Sequence, residues 1–264
     1  GADDIPGRDN PDPGIELVVV ATPNEHHFQM AKDALTAGKH VIIEKPFAST
    51  LSETQELIEL AQTANKQLFV FHNRRWDGDF KTVKQIIENG LLGDIVTYEA
   101  HYDRYKPELN AKPWKEIEGP GSGILYDLGT HIIDQAVCLF GAPQSVSAQL
   151  LRQRNNTKID DGFDLKLDYG AIQVTLRSTL LARELGPRYI INGRKGSFVK
   201  YGIDPQEDDM LAGMSPLAKD WGIEDPENWG TLNSTIDGLN FRGTVETLRG
   251  NYMEFFDGVF ETLR

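Results

Sequence analysis

Cysteine is almost missing from this sequence. Cys138 stands alone in 264 residues. No disulfide can close within the chain, and no thiolate cluster for zinc or iron–sulfur exists. That usage suits a reducing compartment, and a cytoplasmic location is the expectation. Long apolar runs are missing too, since no stretch approaches the roughly 18 apolar residues that a membrane span needs. Positive charge is scarce: 27 Lys and Arg against 40 Asp and Glu leave a formal net charge of -13. A surface of that sign repels phosphate backbones and anionic membranes, so neither nucleic acid nor membrane is expected as a partner. No third ligand at short spacing accompanies any acid–histidine pair, and no metal site is expected. The dinucleotide fingerprint G-x-G-x-x-G, placed directly after a strand, is also absent.

The ends are irregular in a different way. "GADDIPGRDNPDPG" has neither the basic nor the apolar region of a secretory signal. It reads as an exposed lead-in or as the edge of a longer chain. "NYMEFFDGVFETLR" (251–264) is a helix that stops while still periodic, which reads as a chain incomplete at that end as well.

What is present begins with an alternation of strand and helix. "IELVVVA" (15–21), "HVII" (40–43) and "QLFVF" (67–71) are apolar strands. Between them lie a helix over 24–38, capped by Asn24 and stopped by Gly38, and one opened by the Thr50/Glu53 capping-box pattern. Such strands predict a parallel sheet covered on both faces. Further on, helices are expected over 79–90 and 126–141, and a strand over 94–105. Strand candidates then follow at 145–154, 162–168, 171–178, 187–192 and 196–200, with hairpin turns at Tyr169-Gly170 and in "GRKG". Hairpins without crossover helices imply an antiparallel sheet. Residues 202–250, rich in Gly, Pro, Asp and Asn, read as a long excursion, with Trp221 and Trp229 arguing for order. The fold class is therefore α/β: a partial Rossmann parallel sheet over 1–74, then an α+β domain over 75–264 with a large, mainly antiparallel open sheet.

Four stretches could carry chemistry. In "HVIIEKPFAS" an apolar strand runs into Glu44-Lys45-Pro46. Ligands of open parallel sheets bind beyond the carboxyl ends of the strands, and Pro46 biases Lys45 away from helix. Lys45 is then either a solvated exit or a placed catalytic amine. In "TPNEHH" (22–27) the free N–H groups of a helix start could meet phosphate or ribose oxygens. There the helix field favours neutral rings at His26 and His27; capping and surface roles compete with this. "FHNRRWD" (71–77) puts Arg74 and Arg75 past the third strand, to orient a ligand or to pair with acids. In "GPGSGILYDLGTHIIDQ" Asp127 and His131 stand at i, i+4 on an apolar helix, with Asp134 and Cys138 continuing the stripe. A buried acid beside a histidine is either a structural pair or a general base with its orienting group. "GPGSG" imitates a phosphate loop, but "KPWKEIE" ahead of it is a poor buried strand.

In this order, "ELVVVATPNEHH", "AGKHVIIEKPFASTLSET", "NRRWD" and "GSGILYDLGTHIIDQ" resemble the glucose-fructose oxidoreductase and inositol dehydrogenase family. "PENWGTLNSTIDG" and "FRGTVETLRGNYMEFF" are similar to its scyllo-inositol dehydrogenase branch. The resemblance implies a Rossmann domain binding NAD or NADP, with an N-terminal Gly-rich part missing here, and a substrate domain whose sheet mediates homo-oligomer contacts, as dimer or tetramer. Helix 126–140 would border the active-site cleft. Lys45 matches the family's E-K-P lysine, and Asp127 and His131 its D-x-x-x-H pair, as catalytic and substrate-binding residues. Thr22, Pro23, Asn24, His27, Glu44, Lys45 and Arg74 would bind the cofactor. Tyr102, Trp114 and Trp229 would form a sugar-stacking wall.

The reaction implied is hydride transfer between the cofactor and a secondary alcohol of an inositol-like sugar or polyol. The alternative is an inactive sugar- or nucleotide-sensing homologue acting through oligomerisation. A hydrolase or aldolase would need a Schiff base or a metal, and neither is signalled. Neither the cofactor's 2′-phosphate nor the sugar can be read from these residues.

Overall fold

The structure, a computed structural model, describes residues 12–112 and 116–264. The expected stacking residue Trp114 lies outside the described residues. The chain divides into two compact units. One comprises residues 1–72, 119–121 and 258–264, and the other 73–118 and 122–257.

The first unit is a three-stranded parallel sheet with its helices: β1 (Leu17–Val20), α1 (Asn24–Thr36), β2 (His40–Glu44), α2 (Leu51–Thr63) and β3 (Leu68–Phe71). The strands stand in the order β1-β2-β3, with Val19 opposite Ile42 and Ile43 opposite Val70. α1 and α2 bury Ala31, Leu35, Leu57 and Ala61 against Val20, Val41 and Ile43. Both helices share one face because each right-handed crossover carries the chain the same way along the sheet. The expectation of cover on both faces therefore holds only for β2, whose Val41, Ile42 and Ile43 are all buried; Val19 on β1 is 57% exposed.

Asn24 does not cap α1. Pro23 occupies that position without a side-chain cap, and the Asn24 amide donates instead to the Gly121 carbonyl at 3.0 Å. The capping box of α2 forms as its pattern predicts. Glu53 N–H donates to Thr50 Oγ1, while the Glu53 carboxylate accepts from Thr50 N–H at 3.0 Å.

The second unit opens with a 3-10 turn (Asn73–Trp76), α3 (Gly78–Glu88) and β4 (Ile95–His101). A π-helical turn (Leu125–Gly129) leads into α4 (Thr130–Phe140). Then come β5 (Ser145–Leu151), β6 (Gly162–Asp168), β7 (Gln173–Thr179), β8 (Tyr189–Gly193) and β9 (Gly196–Lys200). α5 (Gln206–Leu211), β10 (Gly230–Ile236), β11 (Leu239–Val245) and α6 (Met253–Leu263) complete the order. The eight strands form one sheet, β11-β10-β9-β8-β4-β7-β6-β5, in which only the β4–β7 pair is parallel.

Alternation with period two brings Tyr98, Ala100, Phe163, Leu165, Val174, Leu176 and Ile191 to one face. α3 packs on that face through Val83 and Ile86, and α4 through Ile132 and Ala136. The excursion read over 202–250 is corrected here. β10 and β11 are a regular hairpin that extends the sheet, turning at Asp237-Gly238, both with positive φ. Their polar alternation, "GTLNSTI", hid them, because only Leu232 and Ser234 of β10's middle point inward.

Candidate active site

In the first unit the candidate residues collect at the carboxyl ends of β1 and β2, where an open parallel sheet receives ligands. Glu44 closes β2 and Lys45 follows it, half-buried, before a cis bond to Pro46. Lys45 N–H donates to the Glu44 carboxylate at 3.2 Å. Burial raises the Glu44 carboxyl above its usual range, against that hydrogen bond and the charges at Lys45 and His27.

His27 behaves differently from the cofactor contact expected of it. It is 1% exposed. Its Nδ1 lies 2.8 Å from the Pro46 carbonyl oxygen and its Nε2 2.8 Å from that of Thr22. Both ring nitrogens are thus engaged inside the unit, and neither is offered to a ligand. The ring ties the exit of β1 to the exit of β2.

Whether these residues suit a nicotinamide nucleotide can be judged from one orphan. Thr22 Oγ1 is buried at the β1 exit with no hydrogen-bond partner among the described residues, a state a bound polar group would relieve. Beside it, Gly121 holds a φ of +76°, and a Cβ there would press on Asn24 and Ser49 at 3.3–3.4 Å. That orphan suits a bound polar group, and Thr22, Pro23, Asn24, Glu44 and Lys45 are the residues at this end of the sheet that would hold a nicotinamide nucleotide.

In the second unit His131 begins α4 and is 5% exposed. Asp127 sits in the π-helical turn and is exposed. The expectation of a buried acid fails, because Asp127 lies on the exposed side of that turn. The turn is built by residues without a local signal. Asp160, 35 positions downstream, accepts from Leu125 N–H at 2.8 Å through its carboxylate and from Ile124 N–H at 3.0 Å through its carbonyl. Gly123 has a φ of +90°, and a Cβ there would fall 1.9 Å from the Asp160 carboxylate.

α4 is braced one turn beyond His131. Gln135, fully buried, donates to the Arg74 carbonyl at 2.9 Å and accepts from Tyr189 Oη at 2.9 Å. Arg75 forks onto Asp134 at 2.7 and 2.8 Å. Val137 and Cys138 are exposed, so the far end of α4 is less enclosed than its apolar composition predicts.

Two further expectations are corrected. Arg74 does not present a cation to a cofactor: it is 5% exposed and bound to Asp77 and Glu207. Tyr102 does not offer a stacking wall, because it is fully buried and its ring is packed by the guanidiniums of Arg74, Arg104 and Arg188 at 4.5–5.2 Å. Burial pushes the Tyr102 phenol up, against those three cations. Trp229 is half-buried at the entry to β10.

Comparison with known proteins bears on the family and the fold. Residues 8–72 match the family model described as an oxidoreductase family, NAD-binding Rossmann fold, and residues 84–264 the model of that family's C-terminal alpha/beta domain. The chain belongs to the glucose-fructose oxidoreductase and inositol dehydrogenase family. Both models describe an oxidoreductase family, and the first an NAD-binding Rossmann fold. Among its relatives is IolW of Bacillus subtilis, a scyllo-inositol 2-dehydrogenase (NADP(+)), 44% identical over 96% of this chain and 70% of the relative. The solved structure of yvaA from Bacillus subtilis superposes with a TM-score of 0.92 at 43% identity, covering 96% of this chain and 72% of that one. A levoglucosan dehydrogenase in complex with NADH and levoglucosan gives a TM-score of 0.70 at 25% identity, covering 89% and 62%. No helix among the described residues is long and apolar enough to cross a membrane, and no group of metal-ligating side chains occurs among them.

Proposed function

We propose that this protein is a dehydrogenase that oxidises a secondary alcohol of a sugar or polyol, with Lys45 and His131 as its catalytic residues. The similarity to a scyllo-inositol dehydrogenase along nearly the whole chain carries the substrate class. The position of Lys45 just past the carboxyl end of β2 supports its role. NAD or NADP, when bound, supplies the hydride acceptor.

His131 takes the hydroxyl proton as general base. A buried imidazole is suited to this because its neutral form is the one that accepts. Lys45 donates a charged hydrogen bond to the oxygen as negative charge develops there, an effect that counts most in a preorganised site shielded from water. Asp127, exposed in the turn before α4, orients His131 or holds a neighbouring substrate hydroxyl. Homo-oligomers are proposed through the sheet of the second unit, where Val146 and Leu150 on β5 and Leu239 on β11 are all more than half exposed.

The test is a polyol panel with both cofactors, run on the wild type and on Lys45→Met. The variant should lose roughly 10²–10³ in turnover while its circular dichroism and unfolding midpoint stay unchanged. Turnover near that of the wild type in a folded Lys45→Met protein would remove the lysine from the mechanism.

A further inference from the structure

The His27 ring meets two backbone carbonyl oxygens, one at each nitrogen, both at 2.8 Å. A carbonyl oxygen only accepts. A neutral imidazole has one N–H and one lone pair. It can satisfy one of these carbonyls, and it then sets its lone pair against the other at hydrogen-bonding distance. No tautomer removes the conflict, because exchanging tautomers only moves it to the other end. A ring with hydrogen on both nitrogens satisfies both carbonyls through charge-assisted bonds.

The surroundings bear on that charge from both sides. On α1 the positive end of the helix dipole opposes it. Glu25 and His26, the neighbouring titratable groups of that helix, are exposed and lie 3.6 Å apart. From β2, the half-buried Glu44 carboxylate interacts favourably with a charged His27, while Lys45 beyond it is itself a cation. The helix dipole, the Lys45 cation and the burial of the ring oppose the charge; two short hydrogen bonds and the Glu44 carboxylate favour it.

We propose that His27 is a doubly protonated clamp, a positioning residue that joins the exits of β1 and β2 and so fixes the backbone from which Lys45 reaches. The proton inventory stands on the hydrogen-bond geometry alone. Its effect on turnover rests on the reading of Lys45 as the catalytic amine. With hydrogen on one nitrogen only, one end of the clamp repels its carbonyl. The turn that carries Lys45 then loosens, while the cores of α1, α2 and the sheet stay packed.

Two measurements on the whole chain test this. In the ¹⁵N-labelled wild type, the His27 ring is observed by NMR and assigned through its own backbone. Protons on both ring nitrogens at neutral pH are expected, whatever the activity of the enzyme. A ring with one bare nitrogen overturns the clamp. The second measurement takes His27→Ala and adds imidazole or 1-methylimidazole. Turnover should fall at least tenfold, and imidazole should recover it several-fold more than 1-methylimidazole, which can donate from one end only. The difference should grow as pH is lowered and more of the added imidazole is charged. Equal recovery by the two compounds overturns the two-ended clamp. If both nitrogens are protonated yet Lys45→Met remains active, the clamp stands and the assignment of the catalytic lysine fails.

Discussion

The two units secure their candidate catalytic groups by different means. In the first, Lys45 leaves a strand whose neighbours are almost all apolar, and the backbone around it is tied by a single imidazole between two carbonyls. In the second, the ground beneath His131 is a buried ionic network. Arg74 binds Asp77, which accepts from Tyr252 Oη at 3.0 Å. Arg188 faces Asp79 at 3.4 Å, and Asp204 accepts from Gly78 N–H at 2.6 Å. Apolar packing tolerates change of pH and fails by cavities. Buried charge tolerates little, because any member left alone keeps its desolvation cost and loses its partner. The second unit should therefore be the more sensitive to single polar substitutions and to pH.

The largest effect should come from Arg188→Met. The pair it breaks is 2% and 0% exposed on its two sides, so Asp79 would be left as an uncompensated buried charge. A loss of about 3–5 kcal/mol is expected in urea unfolding. A loss below 1 kcal/mol would erase the contrast between the units.

The next largest effect depends on pH. Burial, with the nearby charge of Asp79, pushes the Asp204 carboxyl up from 3.8 to about 6, against hydrogen bonds from Gly78 and Gln206. The folded state therefore holds this proton more tightly than the unfolded chain does. The stability that it contributes is full below about pH 4 and declines as pH rises towards 6. Across that window the wild type should lose roughly 3 kcal/mol relative to Asp204→Asn. Parallel stability curves for the two proteins between pH 4 and 7 would contradict the shift.

Gln135→Leu sharpens the comparison at α4 itself. It leaves the Tyr189 hydroxyl and the Arg74 carbonyl without this partner, and about 2 kcal/mol should be lost in the denaturant midpoint. Turnover should fall further than that loss of folded protein explains, since His131 lies one turn away. The smallest effect is set in the first unit. Thr50→Ala removes the cap of α2 and should cost about 1 kcal/mol, with turnover unchanged.

Local signals proved legible where the responsible atoms are close in sequence. The Thr50/Glu53 box, the hairpin at Tyr169-Gly170 and the β2 strand into Lys45 each depend on neighbours a few positions apart. The carboxyl-end position of Lys45 followed from strand polarity alone. The π-helical turn was not legible, since it answers to Asp160, and Asp127's exposure was misjudged with it. Arg74 and Tyr102 looked available because their partners lie far away in sequence: Glu207 is 133 positions from Arg74. Gln135 could have been suspected, as an amide on an apolar helix needs a reason to be buried.

The chain's own order of residues determined most of the strands and helices up to residue 200, the parallel sheet of the first unit, and which amine and imidazole are candidates for chemistry, because periodicity, caps and turns act over a few residues. Only the tertiary structure decided which polar groups are already spoken for: His27 by two carbonyls, Arg74 by two acids, Tyr102 by three guanidiniums. Desolvation makes a buried polar group find its partner through space, and no spacing along the chain records that choice.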